Sequence, residues 1–253
     1  MGPREIEKKI RGWIERFVSR YPEGAERIWR TPLVGFADAN SPYLQRLPEL
    51  VMPGHRLPQD YLEQATVVIS YFVPFTKAHG DQNLKGENDL ASPSWAQSYL
   101  ETNRMIEALN LALAEEIRRL GYHAVVPYGI GMDETLLKSP WSQRHIAYAA
   151  GLGTFGINHM LITDSGCCGR LGSVVADLPI APGAILREER CLYLRSGGCK
   201  RCVAHCFSGA LTVDGFDRQK CYQMTCRNLE AYGADCCGKC DVGLPCSYRD
   251  PTK

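Results

Sequence analysis

The chain has 253 residues and a mass of 28.2 kDa, which leaves room for one full domain and a small appendage. Its formal net charge of +1, with both signs interspersed, excludes the strongly basic surface of a dedicated nucleic-acid binder. No apolar run approaches the roughly 20 residues of a membrane helix and the N-terminus lacks an apolar signal segment, so we expect a cytoplasmic protein without membrane partners.

The N-terminal part begins with an amphipathic pattern. Apolar side chains recur on one face of residues 4–20, which predicts a helix used for packing: Ile6, Ile10, Trp13, Ile14 and Phe17. Prolines are frequent in residues 31–58 and predict a loop-rich passage of the kind that often covers a pocket. Residues 65–75 are mainly β-branched and aromatic, which predicts a buried central strand.

A second helix and a second strand follow in the chain. Residues 99–120 carry Leu109, Leu113 and other apolar side chains at helical spacing, and Gly121 stands where a left-handed helix cap belongs. Residues 123–127 have the composition of a strand and complete a strand-helix-strand succession. These elements predict an α/β body.

A glycine turn at residues 151–156 has the glycine spacing of the dinucleotide-binding fingerprint. That fingerprint requires a strand before it and a helix after it. Here a predicted helix at residues 141–150 precedes the turn and strand-like residues 158–163 follow it, so we reject the interpretation as an NAD site. Three glycines still allow the backbone to approach some other ligand closely.

Two further features have open interpretations. Cys167 and Cys168 lie in a glycine-flanked turn, where they could be a redox pair or ligands, although small buried side chains in a tight turn are commoner. The histidines show no metal-ligand spacing. His145 and His159 lie on either side of the glycine turn, and we favour hydrogen-bonded structural roles for both.

Ten of the twelve cysteines lie after residue 190. Cys199, Cys202 and Cys206 have the spacing of the last part of the bacterial ferredoxin run, and Cys191 supplies the first cysteine of that run. In two-cluster ferredoxins, the last cysteine of each run binds the other cluster. This pattern predicts two [4Fe-4S] clusters.

The predicted cluster ligands form two groups of four. The first group, which we call quartet one, consists of Cys191, Cys199, Cys202 and Cys246. The second group, quartet two, consists of Cys206, Cys221, Cys237 and Cys240. We prefer Cys237 to the adjacent Cys236 because Cys237 keeps the two-residue spacing to Cys240. Cys226 and Cys236 are then spare, and Cys246 departs most from the regular spacing.

Zinc and disulfides are the competing interpretations of this cysteine pattern. Paired cysteines two residues apart also bind structural zinc, which favours four thiolates. A disulfide framework requires a secretory context, which the N-terminus does not indicate. The three-residue spacing to Cys206, followed by small residues, favours iron-sulfur over zinc.

The order of these parts resembles the epoxyqueuosine reductase family, which is related to the reductive dehalogenases. The resemblance rests on the strand ending at Phe75, on the run from Arg144 through the glycine turn to Asn158, on residues 169–178, and on the cysteine-rich tail. It covers the chain from about residue 30 onward. The combination of the glycine turn with the tail is the most specific part.

The resemblance implies a nitroreductase-like α/β (α+β) corrinoid-binding body at residues 1–187 and a ferredoxin-like domain with two [4Fe-4S] clusters at residues 188–253. In this family the clusters pass electrons to cobalt, and reduced cobalamin removes oxygen from an epoxide on a modified tRNA base. The resemblance also implies which residues contact the corrinoid: Arg144, Gly151, Gly153, Gly156 and Asn158.

Three departures from the family pattern concern the substrate. Leu137 occupies the position of the family's proton-donating acid, so Tyr128, Asp133 and Glu134 become the candidate proton donors. The family's Gly-Lys-Asn is Gly156-Ile-Asn158 here. The chain ends at Lys253 without the helical repeats of longer members, and its net charge offers no substitute surface for tRNA, so tRNA is not an expected partner.

These features predict an oxygen-sensitive, cobalamin-dependent iron-sulfur reductase acting on an unidentified small-molecule or nucleoside-like substrate. A redox protein such as ferredoxin or flavodoxin would supply its electrons. The alternative is an electron-transfer or reductive-activation protein that serves a partner corrinoid enzyme or binds a flavin. A zinc-stabilised interaction module is the third interpretation.

Overall fold

The computed structural model describes residues 1–21, 28–86, 89–127 and 131–253. Its helices and strands are α1 (Pro3–Arg20), β1 (Leu33–Asp38), α2 (Pro42–Gln45), α3 (Leu47–Leu50), β2 (Val67–Pro74), α4 (Lys77–Gln82), α5 (Pro93–Arg119), β3 (Ala124–Val125), α6 (Gln143–Ala149), β4 (Gly153–Phe155), β5 (Leu161–Thr163), β6 (Gly169–Ala176), α7 (Leu192–Ser196), α8 (Arg201–Ala204) and α9 (Arg218–Tyr232). This mixture of helices and strands confirms a mixed α and β fold, and the antiparallel pairing of the named strands makes it α+β instead of a parallel α/β arrangement.

The sheet is built around β2, which is buried along its whole length. β2 pairs antiparallel with β1 on one side and with β6 on the other, and β3 pairs antiparallel with β6. The prediction of a central buried strand is therefore confirmed. The predicted succession of strand, helix and strand is present as β2, α5 and β3. In the sheet, however, β6 lies between β2 and β3.

Alternate side chains of β2 enter two separate cores, because successive residues of a strand point to opposite faces. Tyr71 and Val73 belong to the core that includes the buried residues of α1 and α5. Val68 and Phe72 belong to the core that includes residues of α2 and α6. Both faces of the sheet are thus covered by helices, which explains why the strand is apolar at nearly every position.

The long helices follow the apolar periodicity of the sequence. Ile6, Ile10 and Ile14 of α1 are fully buried, as the pattern predicts. α5 begins earlier than the apolar pattern indicates, because the Ser92 hydroxyl accepts a hydrogen bond from the Trp95 amide (3.2 Å) and a proline follows Ser92. The predicted left-handed cap at Gly121 is present, with φ +88°.

The glycine turn connects α6 to a two-stranded antiparallel hairpin, β4 and β5. A helix thus precedes the turn and a strand follows it, as predicted. The arrangement differs from the strand-turn-helix order of a dinucleotide site.

The cysteine-rich tail packs directly against the body. The amides of Cys167 and Cys168 donate hydrogen bonds to the carbonyls of Cys246 (2.8 Å) and Ser247 (2.9 Å). Arg30 of the body also donates to the carbonyl of Tyr248 (3.1 Å). The division into domains at residue 188 stays a prediction. Among the described residues, no helix has both the length and the apolar character needed to span a membrane.

Candidate functional site

The structure brings the four cysteines of quartet one together. Burial and then the neighbouring thiols of Cys246, Cys191 and Cys199 raise the pKa of the Cys202 thiol to about 11. The same four cysteines line one small pocket, together with Ile157, Asn158, Ile162, Leu192, Arg201, Leu244, Pro245 and Pro251. Cys191 directly precedes α7, and Cys199 and Cys202 lie at the start of α8. Elements far apart in the sequence thus supply one thiol-lined space.

Quartet two is assembled in the same way. Burial and then the nearby Asp241, Cys237, Cys221 and Cys206 raise the pKa of the Cys240 thiol well above its ordinary value. Cys221 lies on α9, whereas Cys237 and Cys240 come from the irregular segment that follows this helix.

Each quartet is the donor set that a [4Fe-4S] cluster requires, because such clusters are held by four cysteine thiolates. Structural zinc also binds four cysteine thiolates, so the type of donor alone fits either metal. The residues present fit iron-sulfur clusters, while ligation itself stays a prediction.

The two spare cysteines have other neighbours. Burial, and then the adjacent Cys237 and Asp235, raise the pKa of Cys236 to about 12, with Arg170 opposing that shift. Cys237 has Cys221 of quartet two among its neighbours. Cys226 shares a hydrogen bond with Tyr222 one turn earlier on α9. These surroundings agree with the preference for Cys237.

A contact that the sequence did not reveal joins Cys167 to quartet one. The Cys167 sulfur lies 4.0 Å from the Cys246 sulfur and 4.0 Å from the Asp241 carbonyl oxygen. Cys167 and Cys168 are both buried. Cys246 lines the pocket of quartet one and Cys167 does not, so Cys167 contacts Cys246 from outside that pocket.

Asp241 is a second residue that the sequence did not single out. Burial raises its pKa to about 7, and Arg170 and Arg144 oppose that shift. Its Oδ1 atom accepts no hydrogen bond within the described part of the chain. An aspartate beside a cysteine carries no sequence signal of burial, so only the tertiary structure reveals it.

The glycine turn packs against the protein itself. A Cβ atom at Gly151, where φ is +73°, would lie 2.4 Å from the carbonyl oxygen of Ala184, and one at Gly153 would lie 2.3 Å from that of Ile162. A Cβ atom at Gly156 would lie 2.7 Å from the Asn158 side chain. These positions require glycine because the chain folds closely on itself, and the space beside Gly151 and Gly153 is filled by protein.

Asn158 is likewise engaged within the chain. Its amide nitrogen donates to the carbonyl of Cys240 (2.8 Å), and its amide oxygen accepts from the Met160 amide (3.2 Å). Asn158 is buried and also lines the pocket of quartet one. The residue therefore ties the glycine turn to the ligand segments of both quartets.

Arg144 is the predicted corrinoid contact that faces open space. Its side chain is exposed, yet burial lowers the pKa of the guanidinium, with Cys240 opposing that shift and Arg218 adding to it. Arg144 therefore lies close enough to Cys240 and Cys221 of quartet two to interact with them electrostatically. Its guanidinium donates to the carbonyl of His159 (2.7 Å).

His145 and His159 line the same region. The Ser142 hydroxyl lies 2.7 Å from His145 Nδ1, and the His159 ring lies 5.0 Å from the Phe216 ring. The hydrogen-bonded role that the sequence analysis favoured is thus confirmed for His145, whereas the contact shown for the His159 ring is with an aromatic side chain.

The candidate proton donors are dispersed. Tyr128 lies outside the described residues. The Asp133 carboxylate accepts hydrogen bonds from the amides of Thr135 (3.0 Å) and Leu136 (2.7 Å), and it thereby stabilises the turn that begins at Asp133. Glu134 is exposed and lies near Tyr222. A proton-donating role for Tyr128, Asp133 or Glu134 stays a prediction.

Comparison with known proteins identifies relatives of this arrangement. No protein-family model matches the chain. The chain is 26% identical over 179 residues to epoxyqueuosine reductase of Bacillus cereus, covering 69% of this chain and 41% of that protein. The structure of epoxyqueuosine reductase from Streptococcus thermophilus matches with a TM-score of 0.61 and 18% identity, covering 97% of this chain and 69% of that one. The predicted resemblance to the epoxyqueuosine reductase family is confirmed.

The fold is also shared with a reductive dehalogenase. A catabolic reductive dehalogenase matches with a TM-score of 0.61 and 16% identity, covering 86% of this chain and 30% of that one. At such identities the structural matches establish the shared fold alone. The chain spans less than half the length of its relative from Bacillus cereus.

Proposed function

We propose that this protein is an iron-sulfur oxidoreductase of the epoxyqueuosine reductase type. The observation that supports the proposal most is the arrangement of eight tail cysteines in two quartets, each matching one cluster of the two-cluster ferredoxin pattern. Bound clusters supply single electrons at low potential. The kinship with epoxyqueuosine reductase supports an oxidoreductase that uses these electrons for a reduction.

The proposal assigns different roles to the quartets, Asn158, Arg144 and His145. Quartet one and quartet two would each hold one cluster, and Asn158 keeps the glycine turn against both ligand segments. Arg144 offers an exposed cation near quartet two, which can orient an anionic or strongly polar group of a bound molecule. His145 stays neutral near pH 7, because burial and then Arg144 lower its pKa to about 4.

Cobalamin is the second cofactor that we propose, on the strength of the family and of the reductive dehalogenase fold. Only some of the residues predicted to contact the corrinoid are free to do so. Arg144 is accessible, whereas Gly151 and Gly153 are covered by the chain and Asn158 is already hydrogen-bonded. The residues of the glycine turn therefore do not fit a corrinoid contact, and we assign no step of the reaction to them.

The alternative function is electron transfer or reductive activation of a partner corrinoid enzyme. Two observations favour it: Leu137 occupies the position of the family's acid, and protein fills the space at the glycine turn. Such a protein would hold the same two clusters without binding free cobalamin.

One measurement separates these functions. Iron, acid-labile sulfide, cobalt and zinc are measured per chain on protein purified without oxygen, and the absorption spectrum is recorded with and without added cobalamin. About eight iron and eight sulfide with a shifted cobalamin spectrum support the reductase. The same iron content with an unchanged cobalamin spectrum supports the electron-transfer protein, and zinc in place of iron contradicts both.

A further inference from the structure

The segment that supplies ligands to both quartets has an unbalanced charge. Residues 191–213 include Arg195, Lys200 and Arg201 but no aspartate or glutamate. Lys200 and Arg201 are exposed and lie directly between the predicted ligands Cys199 and Cys202. In the described part of the chain, neither side chain has a carboxylate within ion-pair distance. Their positive charge is therefore available to a partner.

An exposed aromatic ring lies in the same segment. Phe207 directly follows the predicted quartet-two ligand Cys206, and 53% of its surface is exposed. The ammonium group of Lys239 lies 5.3 Å from the centre of this ring. Aromatic residues are enriched at the centres of protein interfaces.

A neighbouring loop extends this apolar centre. Lys239 donates a hydrogen bond to the carbonyl of Asn83, and the next residue, Leu84, is 46% exposed. Asn83 also donates to the carbonyl of the predicted ligand Cys237 (2.8 Å). Lys239 therefore contacts both the Phe207 ring and the residue before Leu84, and Asn83 ties this loop to a ligand segment of quartet two.

We define the donor face as Leu84, Lys200, Arg201 and Phe207. We propose that the donor face docks an acidic protein that carries one electron, such as a flavodoxin or a ferredoxin, which delivers its electron to the clusters. This inference rests on the proposed function, because it needs clusters held by the two quartets. It adds where the donor binds and why its charge must be negative.

Charge and position both support this occupant. Complementary charge speeds the encounter of two proteins and orients them, and transient redox complexes bury small interfaces. The ligand segment itself carries both the exposed cations and the exposed Phe207 ring, which suits an acidic partner of that kind. Asp89, which interacts with Lys239, is the acidic residue at the border of the face and would weaken the attraction.

The transfer involves electrons alone. The reduced carrier loses one electron and an oxidised [4Fe-4S] cluster gains it, while no proton moves and no covalent bond changes. Because Phe207 follows Cys206 in the chain, a carrier seated on the ring lies one residue from a predicted quartet-two ligand. Quartet two is therefore the expected point of entry.

Reduced flavodoxin, an acidic carrier, is the probe for the test. The iron-loaded protein is mixed with it without oxygen, and the rate of cluster reduction and the dissociation constant of the complex are measured at several salt concentrations. We expect both the rate and the affinity to fall steeply with salt, because the attraction is between exposed charges. Lys200→Glu should lower the rate by about tenfold at low salt, and Asp89→Asn should raise it modestly.

Three controls make the result specific. Lys8→Glu changes the charge equally on the exposed face of α1 and should leave the rate unchanged. Phe207→Ala should weaken the complex at all salt concentrations, since it removes apolar contact instead of charge. Reduced methyl viologen, a small cation, should not be slowed by Lys200→Glu.

Each outcome is decisive for the donor face. If flavodoxin reduces the clusters at a rate independent of salt and of Lys200→Glu, the proposal is overturned while the clusters remain. If Lys200→Glu lowers the iron content, the salt dependence of the unmodified protein and the effect of Asp89→Asn decide instead. Self-association that buries Phe207 would also overturn it, and a protein without iron would overturn the proposed function as well.

Discussion

The sulfur of Cys167 lies 4.0 Å from the sulfur of Cys246, and the backbones of the two residues are joined by a hydrogen bond of 2.8 Å. Cys167 belongs to the turn before β6, whereas Cys246 is the quartet-one cysteine with the least regular spacing. The contact therefore fixes the end of the tail against the body. It also places the Cys167 thiol, a hydrogen-bond donor, next to the sulfur of a predicted cluster ligand. The hydrogen bond from Cys167 lowers the pKa of Cys246.

We predict that Cys167 adjusts the quartet-one cluster without binding iron. Hydrogen bonds to the sulfurs raise the reduction potential of such clusters, because they stabilise the extra negative charge of the reduced state. Cys167→Ala should keep the iron content and lower the potential of one cluster, measured by redox titration followed with electron paramagnetic resonance. Cys167→Ser, which keeps a donor, should lower it less. A loss of about half of the iron in both variants would instead make Cys167 a ligand.

The spare cysteines provide a second prediction with paired controls. Cys221→Ser and Cys237→Ser should each lower the iron content by about half, because each removes a ligand of quartet two. Cys226→Ser, which changes a residue on the same helix as Cys221, should keep the full iron content. Equal losses in Cys221→Ser and Cys226→Ser would contradict the ligand assignment.

Cys236→Ser is the corresponding control for Cys237→Ser. The two positions are adjacent, but Cys221 of quartet two is among the neighbours of Cys237 and not of Cys236. Iron and sulfide assays on protein prepared without oxygen measure all four variants. Retention of iron in Cys237→Ser together with its loss in Cys236→Ser would exchange the two assignments.

Local patterns in the sequence predict much of this arrangement. The burial of β2 follows from its composition, and the helix α1 follows from its apolar period. The two quartets follow from ferredoxin spacing, and the structure brings together the same groups of four cysteines that this spacing selects. These features depend on residues close in sequence or on a repeated motif.

The remaining features depend on contacts between distant segments. The position of β6 between β2 and β3 is set by packing over the whole sheet, which no local pattern specifies. Cys167 and Cys246 are in contact although they lie 79 residues apart in the sequence. The burial of Asp241 likewise arises only when the tail folds onto the body. The glycine turn shows the same limit, since its spacing does not tell whether a ligand or the chain itself fills the space.

A buried arginine provides a prediction about stability. Arg190 pairs with Asp250 (3.1 Å) and Asp164 (3.1 Å), and it also donates to the carbonyl of Ile162 (3.3 Å). Asp250 is 4% exposed, so Arg190→Met would leave a buried carboxylate with only Thr252 and the more distant Lys253 (4.0 Å) as partners. We expect the free energy of unfolding to fall by about 2–3 kcal/mol, less than for a fully unpaired buried charge, measured by urea denaturation at neutral pH.

Asp164→Asn is the matched control for Arg190→Met. The Asp164 side chain is 54% exposed, and exposed pairs contribute about 0–1 kcal/mol. The iron content of both variants must equal that of the unmodified protein, because Arg190 precedes the predicted ligand Cys191. Equal destabilisation by the two substitutions would show that the burial of Asp250 does not matter.

His145 predicts how stability changes with pH. Its ring lies 4.9 Å from the Phe155 ring, and burial lowers its pKa to about 4, with further lowering by nearby cations. Those cationic or titratable neighbours are, in order of effect, Arg144, His55, Arg218 and Lys138. An unfolded histidine titrates near 6.5, so between about pH 6.5 and pH 4 the unfolded chain binds a proton that the folded protein does not.

The free energy of unfolding should therefore be highest above about pH 6.5 and should decrease as the pH falls toward 4. The contribution is at most about 3 kcal/mol, and it is smaller because solvent reaches part of the ring. Urea denaturation of the unmodified protein and of His145→Gln across this range measures the difference. His145→Gln cannot gain a charge, so its stability should decrease less in acid. Identical pH slopes for the two proteins would mean that His145 titrates in the folded protein as it does in the unfolded chain.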